Sequence, residues 1–365
     1  KKEFDTWVKI ISTFNSRFYV PFNVSLTNQE DIILKQETPN LTFQYHDEKD
    51  VPIAQNKDNL LKILSKGEQR AYYILQLLFD IEARRANADN LLIFDDIADS
   101  FDYKNKYAII EYIKDLHVSK NFKLIILTHN FDFYRTISSR LDLKDAVYMI
   151  IKNQKREISI QDGQYRKDVF KYFLGKVTDP KVFISLISFV RNVVEYSDSD
   201  TCADYLKLTS CLHNKMDSGS IQATDVLNIF KRRITSCNSA TITFGNENII
   251  ELILQTAKSI TQETTINEIL LENKIVLSIA IRLIAEKFMI SKIPGLDLSK
   301  INSNQTRELF TKYSSLHNND TIRILDKVNL MTPENIHMNA FMYEPLIDMS
   351  LNHLRALHSE VESLE

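Results

Sequence analysis

The stretch LSKGEQRAYYIL, residues 64–75, sets a Ser-Lys-Gly-Glu turn directly before a helix-like apolar run. Such a turn offers backbone N–H groups and the positive end of a helix to an anion. Ser65, Lys66, Gly67 and Glu68 are therefore candidate phosphate-binding residues. Gly67 permits close backbone approach, and Lys66 adds positive charge. No phosphate cradle accompanies the turn. The chain holds six glycines, and none builds G-x-x-x-x-G-K-S/T. The nearest string, LGKVT at residues 174–178, has Val177 where Ser or Thr should follow the lysine, and no upstream glycine.

Outward from the turn, a helix expected over 68–83 leads to the apolar run NLLIFDD, and a second over 107–116 leads to FKLIILTHN. Short apolar runs alternating with amphipathic helices predict buried parallel strands in an α/β layer. Upstream, residues 1–60 read as a short helix followed by the strand-like runs FYVPFNVSL, DIILKQ and LTFQYH. Beyond about residue 160 the strand signals fade. VFISLISFVRNVVEY, NIIELILQTAKSI and KIVLSIAIRLIAEKFMI carry apolar residues at helical spacing. The predicted organisation is α/β over 1–155 and all-α over 156–365, with the boundary in the polar stretch 152–164.

Composition sets the frame. The 365 residues allow about two domains. They are 44% hydrophobic and 25% charged, as in a folded globular chain. A net charge of -3 neither demands nor excludes nucleic acid. No apolar run reaches the roughly 18 residues that a membrane span needs, so no membrane partner is expected. Cys202, Cys211 and Cys237 lack zinc-type spacing, and their odd number argues against a disulfide framework, which makes a reducing cytoplasm the simplest home.

Three motifs carry chemistry. NLLIFDDIADSFD ends a buried strand with Asp95 and Asp96, and carboxylates there can hold Mg²⁺ and orient an attacking water. Ser100 and Asp102 follow in a turn able to contact a facing subunit. LIILTHN ends the next strand at His129, placed to sense a γ-phosphate. Each motif has a plainer reading, as an Asp-rich turn or a structural histidine. In this order, however, they resemble the second half of an ABC-type ATPase head, particularly its SMC-like branch. The resemblance implies the C-terminal lobe of such a head. Residues 91–96 become the Walker B segment, with Asp95 on Mg²⁺ and Asp96 in place of the usual catalytic glutamate. Residues 100–102 become the D-loop and His129 the switch histidine. ATP then binds between two copies, Ser65 and the N–H groups near Gly67 capping a γ-phosphate held by the partner. The missing loop is expected upstream of Lys1, and these residues alone are not expected to hydrolyse ATP.

The fuller strings FDDIADSFDYKNKYAIIEYI and ILTHNFDFYRTI, with TPENIHMNAFMYEPLIDMS near the end, resemble bacterial anti-phage ATPases related to PrrC- and RloC-type anticodon nucleases. That resemblance implies a HEPN-like helical ribonuclease, a toxin using an Arg, Glu and His set with spacing R-x-x-x-E. Two such pairs exist, Arg191 with Glu195 and Arg282 with Glu286, each sharing a helix face. Arg282 and Glu286 are favoured because they interrupt a long apolar helix. The plain alternative is an intrahelical ion pair. His337 is the candidate acid–base residue, ahead of His213, His317 and His353. Metal-free cleavage of RNA, with tRNA as the implied class, would use Arg282 on the phosphate and Glu286 to orient it. FKRRI at 230–234 is a candidate backbone contact or a solvated basic turn. The alternative function is an SMC-like DNA-sensing ATPase whose helical half binds a partner or inhibitor protein and cleaves nothing. A structural dimerisation module comes third.

Overall fold

A computed structural model describes residues 2–26, 41–46, 53–84, 90–98, 103–119, 121–143, 145–152, 156–165, 169–263, 270–332, 344–347 and 349–364. The expected strand DIILKQ and the candidates Ser100, Asp102 and His337 lie outside them. The described chain is mixed α/β and mostly helical, with small sheets. It divides into two compact units, Lys1–Ala146 and Val147–Glu365.

The first unit opens on helix α1 (Lys2–Arg17) and a three-stranded antiparallel sheet of β1 (Phe22–Leu26), β2 (Leu41–Tyr45) and β3 (Ile53–Gln55). Strand β1 alternates strictly, burying Phe22, Val24 and Leu26. Phe14, Phe22, Phe43 and Tyr72 form a chain of ring contacts that joins helix α1, this sheet and a later helix. Helices α2 (Lys57–Ile63) and α3 (Lys66–Arg84) are separated by Leu64 and Ser65. Next come β4 (Asn90–Asp95), α4 (Tyr103–Val118), β5 (Phe122–Leu127) and α5 (Phe131–Arg140). Strands β4 and β5 pair in parallel from Asn90 opposite Phe122 to Asp95 opposite Leu127, so their C-terminal ends are flush.

The expectation of strands buried on both faces is corrected here. Leu91 and Ile93 are 59% and 60% exposed, and Ile125 and Leu127 share that open face. Phe94 and Phe122 are buried on the other side. Among the described residues a helix covers only one face of this two-stranded sheet, so the other side of the pleat stays open although Leu91, Ile93, Ile125 and Leu127 are apolar.

The second unit begins with a hairpin, β6 (Tyr148–Lys152) and β7 (Ile158–Asp162), so it is not helical throughout. After it come helices α6 (Val169–Leu174), α7 (Pro180–Ser197), α8 (Ala203–Leu212), α9 (Ala223–Arg233), α10 (Ile249–Gln262), α11 (Leu271–Lys292), α12 (Gln305–Leu316), α13 (Thr321–Met331), α14 (Glu344–Ile347) and α15 (Leu351–Glu362). Helix α11 is the axis, packed by α7, α10, α12 and α15 and buried on nearly every side. A helix enclosed all round is largely apolar; of its buried polar side chains Glu272, Lys274, Arg282 and Glu286 are hydrogen-bonded, whereas Asn273 and Ser278 are not. At its start the Tyr165 hydroxyl accepts from Leu271 N–H at 2.9 Å and donates to Glu272 at 3.2 Å, acting as the cap that Leu270 cannot provide. Burial pushes the Tyr165 phenol far up, and the Glu272 carboxylate adds to the effect.

One glycine is fixed by close approach. A Cβ on Gly245 would sit 2.5 Å from Thr224 Oγ1, whose hydroxyl donates to Gly245 O at 2.8 Å. Gly245→Ala is expected to destabilise the unit by about 1–3 kcal/mol in urea unfolding, because either the hydroxyl or the loop must move.

Candidate functional site

The first site is built from the two flush strand ends and the helix beside them. Ser65 and Glu68 form a reciprocal capping box on α3. Ser65 N–H donates to Glu68 Oε2 at 2.7 Å, and Glu68 N–H donates to Ser65 Oγ at 3.4 Å. Gln69 ties the same turn to the preceding helix by donating to Leu61 O and Leu64 O. The Glu68 side chain therefore shapes the turn, while Ser65 and Lys66 stay exposed. The Lys66 and Gly67 amides fall in the first helical turn, whose N–H groups have no intrahelical acceptor.

Asp95 is the last residue of β4 and is exposed. Asp96 follows in the left-handed region at φ 47 and donates its N–H to Leu127 O at 2.9 Å. This turn of the backbone aims the Asp96 carboxylate across the strand ends at His129. Asp96 Oδ1 accepts from His129 N–H at 3.1 Å and lies 3.0 Å from His129 Nδ1. The His129 amide, above all, holds the Asp96 carboxyl below the usual carboxylate range, and Arg70 contributes. Arg70, on α3, also donates to the backbone carbonyl of Asp96 at 3.4 Å, which links the Ser65 turn's helix to the backbone that carries the carboxylate. Asn130 then caps α5 by accepting from Phe133 N–H at 2.9 Å, which fixes the segment carrying His129.

The donor set suits Mg²⁺ held in the way that cation prefers, by one or two carboxylates with the remaining positions taken by phosphate oxygens and water. Asp95 and Asp96 are adjacent and project from strand ends. Among the described residues no three His, Cys, Asp or Glu side chains gather to hold a metal alone.

The second unit places the two arginine–glutamate pairs differently from simple ion pairs. Arg191 donates to Thr209 Oγ1 at 2.8 Å and to the Tyr205 hydroxyl, while Glu195 accepts from Asn192 at 2.9 Å. Arg282 donates to Thr332 Oγ1 at 2.7 Å and to Thr332 O. Glu286 is wholly buried and accepts from four groups: His213 Nδ1 at 2.7 Å, Asn214 N–H at 2.9 Å, Gln305 at 2.8 Å and Thr306 at 2.7 Å. Burial pushes the Glu286 carboxyl up, but His213 and the hydrogen bonds outweigh it, leaving the group below its ordinary value. Glu286 thus orients His213 rather than Arg282. Nothing in the spacing of the chain signals this partnership.

Arg282 and His213 line one cleft of about 430 Å³, together with Gln305, Thr306, Arg307 and Asp326. In FKRRI, at the end of α9, Arg232 and Arg233 both pair with Asp204, and Arg233 also meets Asp198, so these two arginines are charge-compensated. The cysteines are free thiols. Among the described residues no helix is long and apolar enough to cross a membrane.

No family model matches the chain. The chain is 21% identical over 132 residues to the methionine import ATP-binding protein MetN of Ligilactobacillus salivarius, which covers 34% of this chain and 36% of that protein. The chain thus spans little more than a third of that relative's length. This weak similarity supports an ABC ATPase-like region over about a third of the chain.

Proposed function

We propose that the first unit is one half of an ABC-type ATP site, completed by a second copy of the same head. The observation that carries this reading is the joined strand ends. Asp96 is bonded to His129 across parallel neighbours and tied through Arg70 to the helix that Ser65 caps. Asp95 would hold Mg²⁺, which supplies charge neutralisation between the phosphates. Asp96 would orient the attacking water, and His129 would couple that carboxylate to the γ-phosphate. Ser65, Lys66 and the Gly67 amide would meet the phosphates of ATP bound by the partner, with Ser100 and Asp102 facing across the same junction. Such a site also needs a phosphate loop, which none of these 365 residues builds. The open apolar face of Leu91, Ile93, Ile125 and Leu127 fits a sheet that a further layer of the whole head would cover.

The test is ATP turnover by the protein joined to its phosphate loop. Mg²⁺-dependent hydrolysis is expected, and Ser65→Arg should reduce it at least tenfold by filling the space where the partner's phosphate docks. Turnover that ignores Ser65→Arg would remove the composite site from the account.

A second reading concerns the helical unit: a metal-independent ribonuclease of anti-phage type, controlled by pairing of the heads. Its support is that Arg282, on a buried helix, opens onto a polar cleft that a histidine shares. The fitting experiment is RNA cleavage with the heads held in the ATP-bound state. A helical unit that captures a partner protein and cleaves no RNA would match the alternative, DNA-sensing reading.

A further inference from the structure

We infer that His213, fixed by Glu286, is the proton-transferring residue of the helical unit, in a cleft that takes an RNA phosphodiester. The inference rests on the ribonuclease reading and assigns that activity's histidine. Glu286 supplies the orienting carboxylate. It is wholly buried, and three donors besides His213 lock its position. An ionised carboxylate at 2.7 Å accepts a hydrogen bond, so the His213 proton sits on Nδ1 and Nε2 is the basic nitrogen. A histidine held in one tautomer by a buried carboxylate is the arrangement that general-base chemistry uses.

Charge decides which cleft is used. His213 stands in the walls of two. The larger, about 610 Å³, sets Arg191 and Lys215 against Glu195, Asp200 and Asp217, and would repel an anion. The smaller, about 430 Å³, sets Arg282 and Arg307 against Asp326 alone and adds neutral donors such as Asn304 and Thr311. Arg282 is held from below by Thr332, so its fork is pre-set. Such a pocket matches a phosphate flanked by ribose hydroxyls.

In the step that follows, His213 Nε2 takes the proton of a ribose 2′-hydroxyl. O2′ bonds to phosphorus and the P–O5′ bond breaks, its electron pair leaving on O5′. Water protonates that oxygen, and the His213 proton returns to solvent. The products are a 2′,3′-cyclic phosphate end and a 5′-hydroxyl end, with no net change in protons. Arg282 and Arg307 would stabilise the charge on the non-bridging oxygens.

The test uses the protein joined to its phosphate loop, with ATP and Mg²⁺ present and an oligoribonucleotide as probe. His213→Gln keeps a donor for Glu286 but removes the base. Cleavage should fall by about 10²–10⁴-fold with RNA binding retained, and the ascending limb of the pH–rate profile should disappear. Arg307→Gln, at an exposed position that packing does not constrain, should weaken RNA binding and lower its salt dependence by about one ion. If His213→Gln cleaves at the wild-type rate, or keeps the wild-type pH profile, His213 is not the base while the ribonuclease reading stands. Unchanged RNA binding by Arg307→Gln would remove RNA from this cleft. If the wild-type protein cleaves no RNA, the ribonuclease reading itself fails and takes this assignment with it.

Discussion

Replacing Glu286 by alanine is expected to cost the helical unit about 3–5 kcal/mol, the largest effect of any single substitution considered. The carboxylate is wholly enclosed and satisfies His213, the Asn214 amide, Gln305 and Thr306 at once. Alanine would leave those donors facing a dry hole, and an unmade buried hydrogen bond costs more than a made one contributes. Urea unfolding measures the loss directly. Loss of less than about 1 kcal/mol would mean that water replaces the carboxylate without strain. The same group sets an acid limit. Its folded pKa lies below the ordinary 4.5, so its stabilisation is complete above that value and is lost as pH falls through the folded value. The helical unit should therefore weaken progressively below about pH 4.5, and Glu286→Gln should flatten that part of the stability profile.

Asp96→Asn is expected to slow ATP turnover by about 10²–10⁴-fold while leaving the fold intact. The amide oxygen can still accept from the His129 N–H, so the strand ends stay joined. The charge that would polarise the attacking water is gone. Asparagine also tolerates the left-handed backbone at this position, φ 47, better than most residues. Turnover, nucleotide affinity and thermal stability separate the outcomes. A fall in rate with affinity and stability retained supports the assigned role. A rate within a factor of two of wild type would move the catalytic carboxylate elsewhere.

What could be read from the residues was local. Asp95 and Asp96 at the end of an apolar run, and His129 at the end of the next, lie within a few positions of a recognisable strand, and the parallel pairing brings Asp96 and His129 into contact. The Ser65 turn was legible because a helix start carries its own residue pattern, and Glu68 belongs to that pattern as a cap. The open face of β4 and β5 was not legible. Leu91, Ile93, Ile125 and Leu127 are apolar like their buried neighbours, so period-two alternation is absent and exposure leaves no trace. The pairing of Glu286 with His213 was also hidden. It joins a helix to the C-cap residue of another far away in sequence, and the i,i+4 spacing pointed instead to Arg282, whose guanidinium turns to Thr332. Ser100, Asp102 and His337 lie outside the described residues and remain assigned only by their motifs.

In the proposed function the Ser65 turn reports on ATP held by another copy. The most direct measurement is the mass in solution of the Asp96→Asn protein, joined to its phosphate loop, with and without ATP and Mg²⁺. The protein should be monomeric without nucleotide, dimeric with ATP, and monomeric again when Ser65→Arg is added. A mass that ATP does not change, or an ATP-bound dimer that survives Ser65→Arg, would contradict that reading.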